Sequence, residues 1–111
     1  MDRKFRLKKQ TDFQRVRRFG KSHAHPLIVL VRLPNEIEQT RIGVAAGRVV
    51  GGAVQRNRAK RRLRGVLNPI AGKIATGWDL VFIARKPILQ AGHQDLEQAV
   101  HSLLRKSSLI D

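Results

Sequence analysis

Gly51-Gly52-Ala53-Val54-Gln55-Arg56-Asn57-Arg58-Ala59-Lys60-Arg61-Arg62-Leu63-Arg64 is the stretch whose reading decides the architecture. At about 100° per residue, Ala59, Leu63, Val66, Leu67 and Ile70 fall in one apolar stripe. Asn57, Arg61 and Arg64 point almost directly away from it, and Arg58 and Lys60 flank it. The spacing predicts a helix after the paired glycines, closed by Asn68-Pro69 and Gly72, with Ile70 packing beyond the last full turn. Six cations occupy its three turns, from Arg56 to Arg64, and no Glu stands at i−4 or i+4 to pair them. Arginine's planar fork suits bidentate phosphate contact, so this face calls for an anion.

Working outward, Thr11-Asp12-Phe13-Gln14 reads as a cap pair that opens a first helix, which Gly20 closes. Leu27 to Leu33 is a β-branched run of strand length ended by Pro34-Asn35, and Arg41 to Gly47 is a second strand of small residues. A hairpin is the natural connection between them. Trp78 to Lys86 is apolar on both alternating faces, which predicts a central, buried strand. Leu96, Ala99, Val100, Leu103 and Leu104 recur at helical spacing, with Asp95 and Gln98 as a weak cap pair. The expectation is an α+β sandwich, a small sheet with helices packed on it. Its 111 residues suffice for one core, so residues 1–111 form a single domain.

The charge supports an anionic partner. Lys and Arg number 23 against 8 Asp and Glu, a formal net charge of +15. Residues 1–21 carry nine cations and two acids, and residues 39–78 carry nine cations and no acid at all. Two blocks therefore hold the excess, and a solvated surface of scattered charges would show both signs interspersed. The 41% hydrophobic content separates the chain from a disordered basic tail.

Several classes fall away. Without cysteine there is no disulfide framework, thiolate metal site or cysteine nucleophile, and a cytoplasmic location becomes the default expectation. No apolar run approaches the roughly 20 residues that span a bilayer, so no membrane partner is expected. His23 and His25 could share a metal, but no third ligand stands near them. Asp12, Asp79, Asp95 and Glu97 sit at element ends, where capping and turn roles explain them. Glycines 43, 47, 51 and 52 make neither a Walker loop nor a dinucleotide fingerprint. No self-contained active site is visible.

Binding chemistry is plain by contrast. Lys8, Lys9, Arg15, Arg17, Arg18 and Lys21 surround Phe13 and Phe19, and bases stack on rings while phosphates meet the cations. Phe13 can equally pack the first helix onto the sheet. DNA fits less well, because the central helix offers mostly Arg and Lys to a major groove and no turn-helix partner precedes it.

The stretch from Gly51 to Arg64 resembles the Gly-x-Ala-Val-x-Arg-Asn-x-x-Lys-Arg-x-x-Arg motif of the bacterial ribonuclease P protein family. The likeness extends to Leu7-Lys8-Lys9, Asp12-Phe13, Gly20, Arg41-Ile42-Gly43, Asp79, Ile83 to Pro87 and Leu104 to Leu109. It implies an α-β-β-β-α-β-α order with a four-stranded sheet and a left-handed β-α-β crossover, one strand more than the periodicity gives. Lys21 to His25 is the stretch available to supply it. It implies an RNA-binding protein subunit of a ribonucleoprotein hydrolase, an endonuclease in tRNA processing. Cleavage of precursor tRNA is then expected on the catalytic RNA with Mg²⁺, with no catalytic residue on this chain and no stable protein partner. By the same resemblance Arg56, Asn57, Arg58, Lys60, Arg61 and Arg64 would bind ribonuclease P RNA. Phe13, Arg17, Phe19, Arg48, Arg85 and Lys86 would bind the precursor tRNA leader, and no metal ligand can be named. Arg17 stands where the family often has a second aromatic, with Phe19 the alternative ring. Gly47-Arg48-Val49 replaces Ser-Lys-Lys, and Gly65 replaces a Glu or Gln, which would loosen the helix end by roughly 1 kcal/mol. The alternative reading is a general RNA-binding or ribosomal protein on the same sandwich.

Overall fold

A computed structural model describes all residues, Met1–Asp111. The elements run α1 (Gln10–Phe19), β1 (Lys21–Ala24), β2 (Ile28–Pro34), β3 (Arg41–Ala46), α2 (Ala53–Leu67), β4 (Trp78–Ala84) and α3 (His93–Lys106). Short 3₁₀ turns at Arg3–Phe5, Asn68–Lys73 and Lys86–Gln90 join them. The order is the expected α-β-β-β-α-β-α, and Lys21–Ala24 supplies the extra strand.

The sheet order is β1-β2-β4-β3. β2 pairs antiparallel with β1 and with β4, and β3 pairs parallel with β4 through the α2 crossover. The expected hairpin between β2 and β3 therefore does not form, because β4 lies between them. The reason lies in burial: Leu80, Val81 and Phe82 are fully buried on alternating faces, and only a central position covers both. Pro34-Asn35 signals a turn correctly, but the chain then crosses the end of β4 instead of folding back beside β2.

One sheet face carries most of the core. Ile28, Leu30, Ile42, Val44, Leu80 and Phe82 meet Leu63 and Leu67 of α2 and Leu96, Val100 and Leu103 of α3. Beneath α1 the other face holds a smaller cluster of Leu7, Val16, Val31 and Val81. Gly20 is the C-cap of α1, and only glycine fits there, because a Cβ would meet the Val16 carbonyl, the Val31 side chain and the Arg32 carbonyl within 2.8 Å.

Helix starts are less orthodox than expected. Thr11 lies inside α1, whose N-cap is Lys9, and Asp95 lies inside α3, whose N-cap is Gly92; neither end has a side-chain cap bond. Asp12 and Asp79 are not turn or cap residues either. Asp12 pairs with Arg15 at 3.2 Å and Arg41 at 3.7 Å. Asp79, with no exposed surface, accepts from Arg15 (2.6 Å), Asn35 (2.9 Å) and both Arg41 Nε (2.9 Å) and NH2 (2.7 Å). Burial pushes the Asp79 carboxyl up, but the hydrogen bonds from Arg41 and Asn35 and the charges of Arg41 and Arg15 outweigh it and hold the group below its ordinary value. The same pairing raises Arg41.

Asp79→Asn should cost about 3 kcal/mol at pH 7, the low end for a broken buried pair because both guanidinium groups are partly solvated. Because the folded carboxyl is depressed, its stabilisation is complete above about pH 4 and is lost as pH falls through the folded value. Urea unfolding of both proteins from pH 7 to pH 2 should thus show a gap that narrows only at the acid end. Gly65 is exposed in the last turn of α2, which runs through it unbroken, and a Cβ added there would meet no atom within 4 Å. Gly65→Ala should raise stability by about 0.5–1 kcal/mol in the same assay.

Candidate nucleic-acid interface

The basic helix starts from a backbone constraint. Gly51 has φ +144°, a value that L side chains rarely adopt, and this lets the turn after β3 reverse into α2 at Gly52. From there the periodicity holds: Ala59, Leu63, Val66 and Leu67 are buried, whereas Asn57, Arg58 and Arg61 are exposed and Arg56, Lys60 and Arg64 half-buried. The ion pairs of the chain all lie elsewhere, on Asp12, Asp79 and Glu97.

One of the six cations is engaged internally. Arg62 turns toward the 3₁₀ turn after β4 and donates to the carbonyls of Ile88 (2.7 Å) and Ala91 (2.6 Å). The outward set is therefore Arg56, Arg58, Lys60, Arg61 and Arg64, joined by Asn57. Asn57, Lys60, Arg61 and Arg64 line a shallow depression with Val54, which is 75% exposed. Sequence reasoning passed over Val54, although it faces outward on the wheel among cations.

A second surface lies beside α1. Phe13 settles both of its alternatives: its ring lies directly on Gly43 of β3, where a Cβ would collide with it, yet it stays half-exposed. The absent side chain at Gly43 makes the seat for the ring. Next to it opens a groove of about 520 Å³ lined by Lys8, Gln10, Phe13, Arg17, Ala46 and Lys60 among others. Phe13 and Arg17 are thus together as expected, and Lys60 reaches the groove from α2. Phe19 is not part of it; the ring is 66% exposed at the end of α1 with the Arg18 guanidinium 5.3 Å from its centroid.

Arg48, Arg85 and Lys86 form a separate group at one end of the sheet. Register pairs Ala46 with Ala84, so the chain leaves β3 and β4 side by side, toward Arg48 on one strand and Arg85-Lys86 on the other. All three are exposed, and Arg85 donates to the His25 carbonyl at 3.2 Å. They flank the groove's end of the sheet without lining the groove.

The imidazoles of the first two histidines serve as acceptors. His23 Nε2 accepts from Arg32 Nε at 3.0 Å and His25 Nδ1 accepts from the Leu27 amide at 3.1 Å. Burial, then Arg32 and Lys21, holds His23 below its ordinary value. No three His, Asp or Glu side chains cluster to hold a metal ion.

Residues 1–108 match the family model described as Ribonuclease P. The chain is 38% identical over 109 residues to the ribonuclease P protein component of Herpetosiphon aurantiacus, covering 98% of this chain and 89% of that protein. The component from Bacillus cereus (strain B4264) is 34% identical over 110 residues, covering 98% and 96%. Among solved structures, the Staphylococcus aureus RNase P protein superposes with a TM-score of 0.85 at 29% identity, over 96% of this chain and 98% of that one. The Thermotoga maritima RNase P protein in complex with 1-(4-fluorophenyl)-2-thiourea gives 0.81 at 28%, over 91% and 98%.

The two kinds of arginine on α2 should separate experimentally. Arg62→Ala removes two hydrogen bonds from a charged donor and should lower stability by about 2 kcal/mol in urea unfolding. Arg61→Ala, at an exposed unpaired site, should leave stability within about 0.5 kcal/mol.

Proposed function

The chain belongs to the bacterial ribonuclease P protein family, and from that premise we propose how its basic surfaces divide between two RNAs. It is the protein subunit of ribonuclease P, the endoribonuclease that processes tRNA 5′ ends, and ribonuclease P RNA is its partner in that holoenzyme. In our reading, the outer face of α2, with Arg56, Asn57, Arg58, Lys60, Arg61 and Arg64, binds the catalytic RNA. The groove beside Phe13 and Arg17 takes the 5′ leader of precursor tRNA, and Arg48, Arg85 and Lys86 draw the leader along the end of the sheet.

The observation that carries this division is the outward row of unpaired cations on α2 beside a groove floored by a half-exposed ring. Cations without carboxylate partners neutralise phosphates and release counterions, which supplies affinity without base selectivity. Phe13 adds a stacking surface, and the guanidinium plane of Arg17 provides a second one where the family often has a ring. Phe19, capped by Arg18 and outside the groove, drops out of this arrangement. The subunit then positions two RNAs against each other, and the hydrolytic step falls to the catalytic RNA.

Mg²⁺ belongs with the RNA in this scheme, where it would supply Lewis-acid and water-activating chemistry. The side chains present do not fit a metal site: Asp12 and Asp79 are bound by Arg15 and Arg41, and no three His, Asp or Glu side chains cluster. No helix is long and apolar enough to cross a membrane. In our reading the protein works in the cytoplasm, with RNA and not a second protein as its stable partner.

Reconstitution with a bacterial ribonuclease P RNA tests the reading. At low Mg²⁺ the chain should enable cleavage of precursor tRNA and favour precursor over mature tRNA; a general RNA-binding protein would do neither. Arg61→Ala and Arg64→Ala should each flatten the salt dependence of assembly by about 0.7–0.9 in log–log slope. Phe13→Ala should leave that slope alone and weaken the preference for precursor by roughly tenfold, the loss of one stacking contact. Identical behaviour of the two kinds of variant would overturn the division.

A further inference from the structure

The ring that floors the groove is placed by a residue that does not line it. Gly43 is buried in β3, inside regular pairing with Val81, and its φ is not positive. A strand interior gives no reason of its own for glycine, which weakens it and often marks a close approach from outside. The approach here is the Phe13 ring: an added Cβ would collide with ring Cζ and lie 2.6 Å from Cε1 and 3.2 Å from Cε2. Those atoms are the far end of the ring, so it is seated tip-first on the strand. Carbon atoms rest at roughly 3.5–4.0 Å, and a methyl group at Gly43 would therefore raise the ring by about 1 Å.

The helix that carries Phe13 cannot rise with it. Arg15 is held by the buried Asp79 carboxylate at 2.6 Å, Val16 has no exposed surface, and Gly20 has no room for even a Cβ. Asp12, beside Phe13, pairs with Arg41, two residues before Gly43 on the same strand. A helix packed and pinned at these points passes the displacement to the Phe13 side chain. The space open to that side chain includes the groove of about 520 Å³ that Phe13 lines.

We infer that Gly43 is a positioning residue for leader recognition: by having no side chain it keeps the Phe13 ring seated on β3 and the groove clear. Gly43 touches no RNA and acts through Phe13. A gap of roughly 0.5–1 Å already forfeits a quarter to a half of a dispersion contact, so the height of the ring decides how well a base can lie on it. The inference rests on the assignment of the groove to the leader, and it adds the residue that sets the groove's depth.

The test is a double-mutant cycle in the reconstituted holoenzyme that reads the preference for precursor over mature tRNA. Gly43→Ala should lower that preference roughly tenfold, as Phe13→Ala does, and leave the salt dependence of assembly with the catalytic RNA unchanged. The double variant should be no worse than Phe13→Ala alone, because the added methyl group then meets no ring. A glycine needed only for packing would lower stability in urea and keep the preference, and that result, or additive losses in the double variant, would overturn the inference. Full preference in Phe13→Ala would instead remove the leader assignment on which the inference stands. A second measurement does not depend on how well Gly43→Ala folds. In NMR spectra of the unsubstituted chain the Phe13 ring protons should lie close to the Gly43 α-protons, and that contact should persist when a short single-stranded RNA shifts the ring signals. Its loss on binding would mean that the ring leaves its seat to meet RNA, which is the opposite of what a positioning role requires.

Discussion

Everything outside the main core hangs from the Asp79 carboxylate. It is a fully buried charge, and removing it from water is favourable only because Arg15, Asn35 and Arg41 together saturate its two oxygens. Those three residues come from α1, the connection after β2 and the start of β3, so one side chain on the central strand ties three separate elements to β4. The Asn35 side chain also donates to the Gln39 carbonyl, which shapes the loop that carries the chain over the end of β4. The position of α1, and with it the Phe13 groove, is set by this ion cluster together with the small Val16, Val31, Val81 and Leu7 contact.

The same cluster explains how so basic a chain keeps one face cationic. Two of its few acids, Asp12 and Asp79, lie on the α1 face of the sheet and neutralise Arg15 and Arg41, the two arginines that do structural work there. Arg62 is engaged differently, its N–H groups donating to backbone carbonyls at a turn while its charge stays. The cations left over include the outward row of α2, a helix that carries no carboxylate of its own. Repulsion among them is an energetic cost that phosphate binding offsets, so a field of one sign over a small body becomes steering toward RNA.

Legibility followed the range of the physics. The α2 wheel could be read because amphipathic periodicity is local, and the structure buries the very residues the stripe contained as far as Leu67. The central strand was legible because two apolar faces need two covered sides. The hairpin between β2 and β3 was misread because a turn signal specifies only that the chain reverses, not which strand inserts beside it. Arg62 counted among the six cations but stood outside the expected contact set, and nothing in its local sequence records that the carbonyls of Ile88 and Ala91 fold against that side of α2. Phe19 looked like a partner of Phe13 by proximity in sequence, but six residues along a helix carry it to a different face, where it stays exposed beside the Arg18 guanidinium. Lys60 was visible as a flank of the basic face, and only the packing of α2 against the edge of β3 brings it into the groove beside Phe13.

By itself the sequence determined the element order, the apolar stripe of each helix, the excess of unpaired cations and a family motif specific enough to imply the partner RNA. These are properties of spacing and composition, and they hold wherever the elements are placed. Tertiary structure alone decided which cations are free and which are engaged, because engagement depends on contacts 26 to 64 residues apart, such as Arg62 with the Ile88 carbonyl and Arg15 with the Asp79 carboxylate. It also decided that Gly43 is a seat for a ring and that the outer edge of β3 stays open. Both depend on β4, the later strand, entering the sheet beside β3 and leaving its other side to the N-terminal segment.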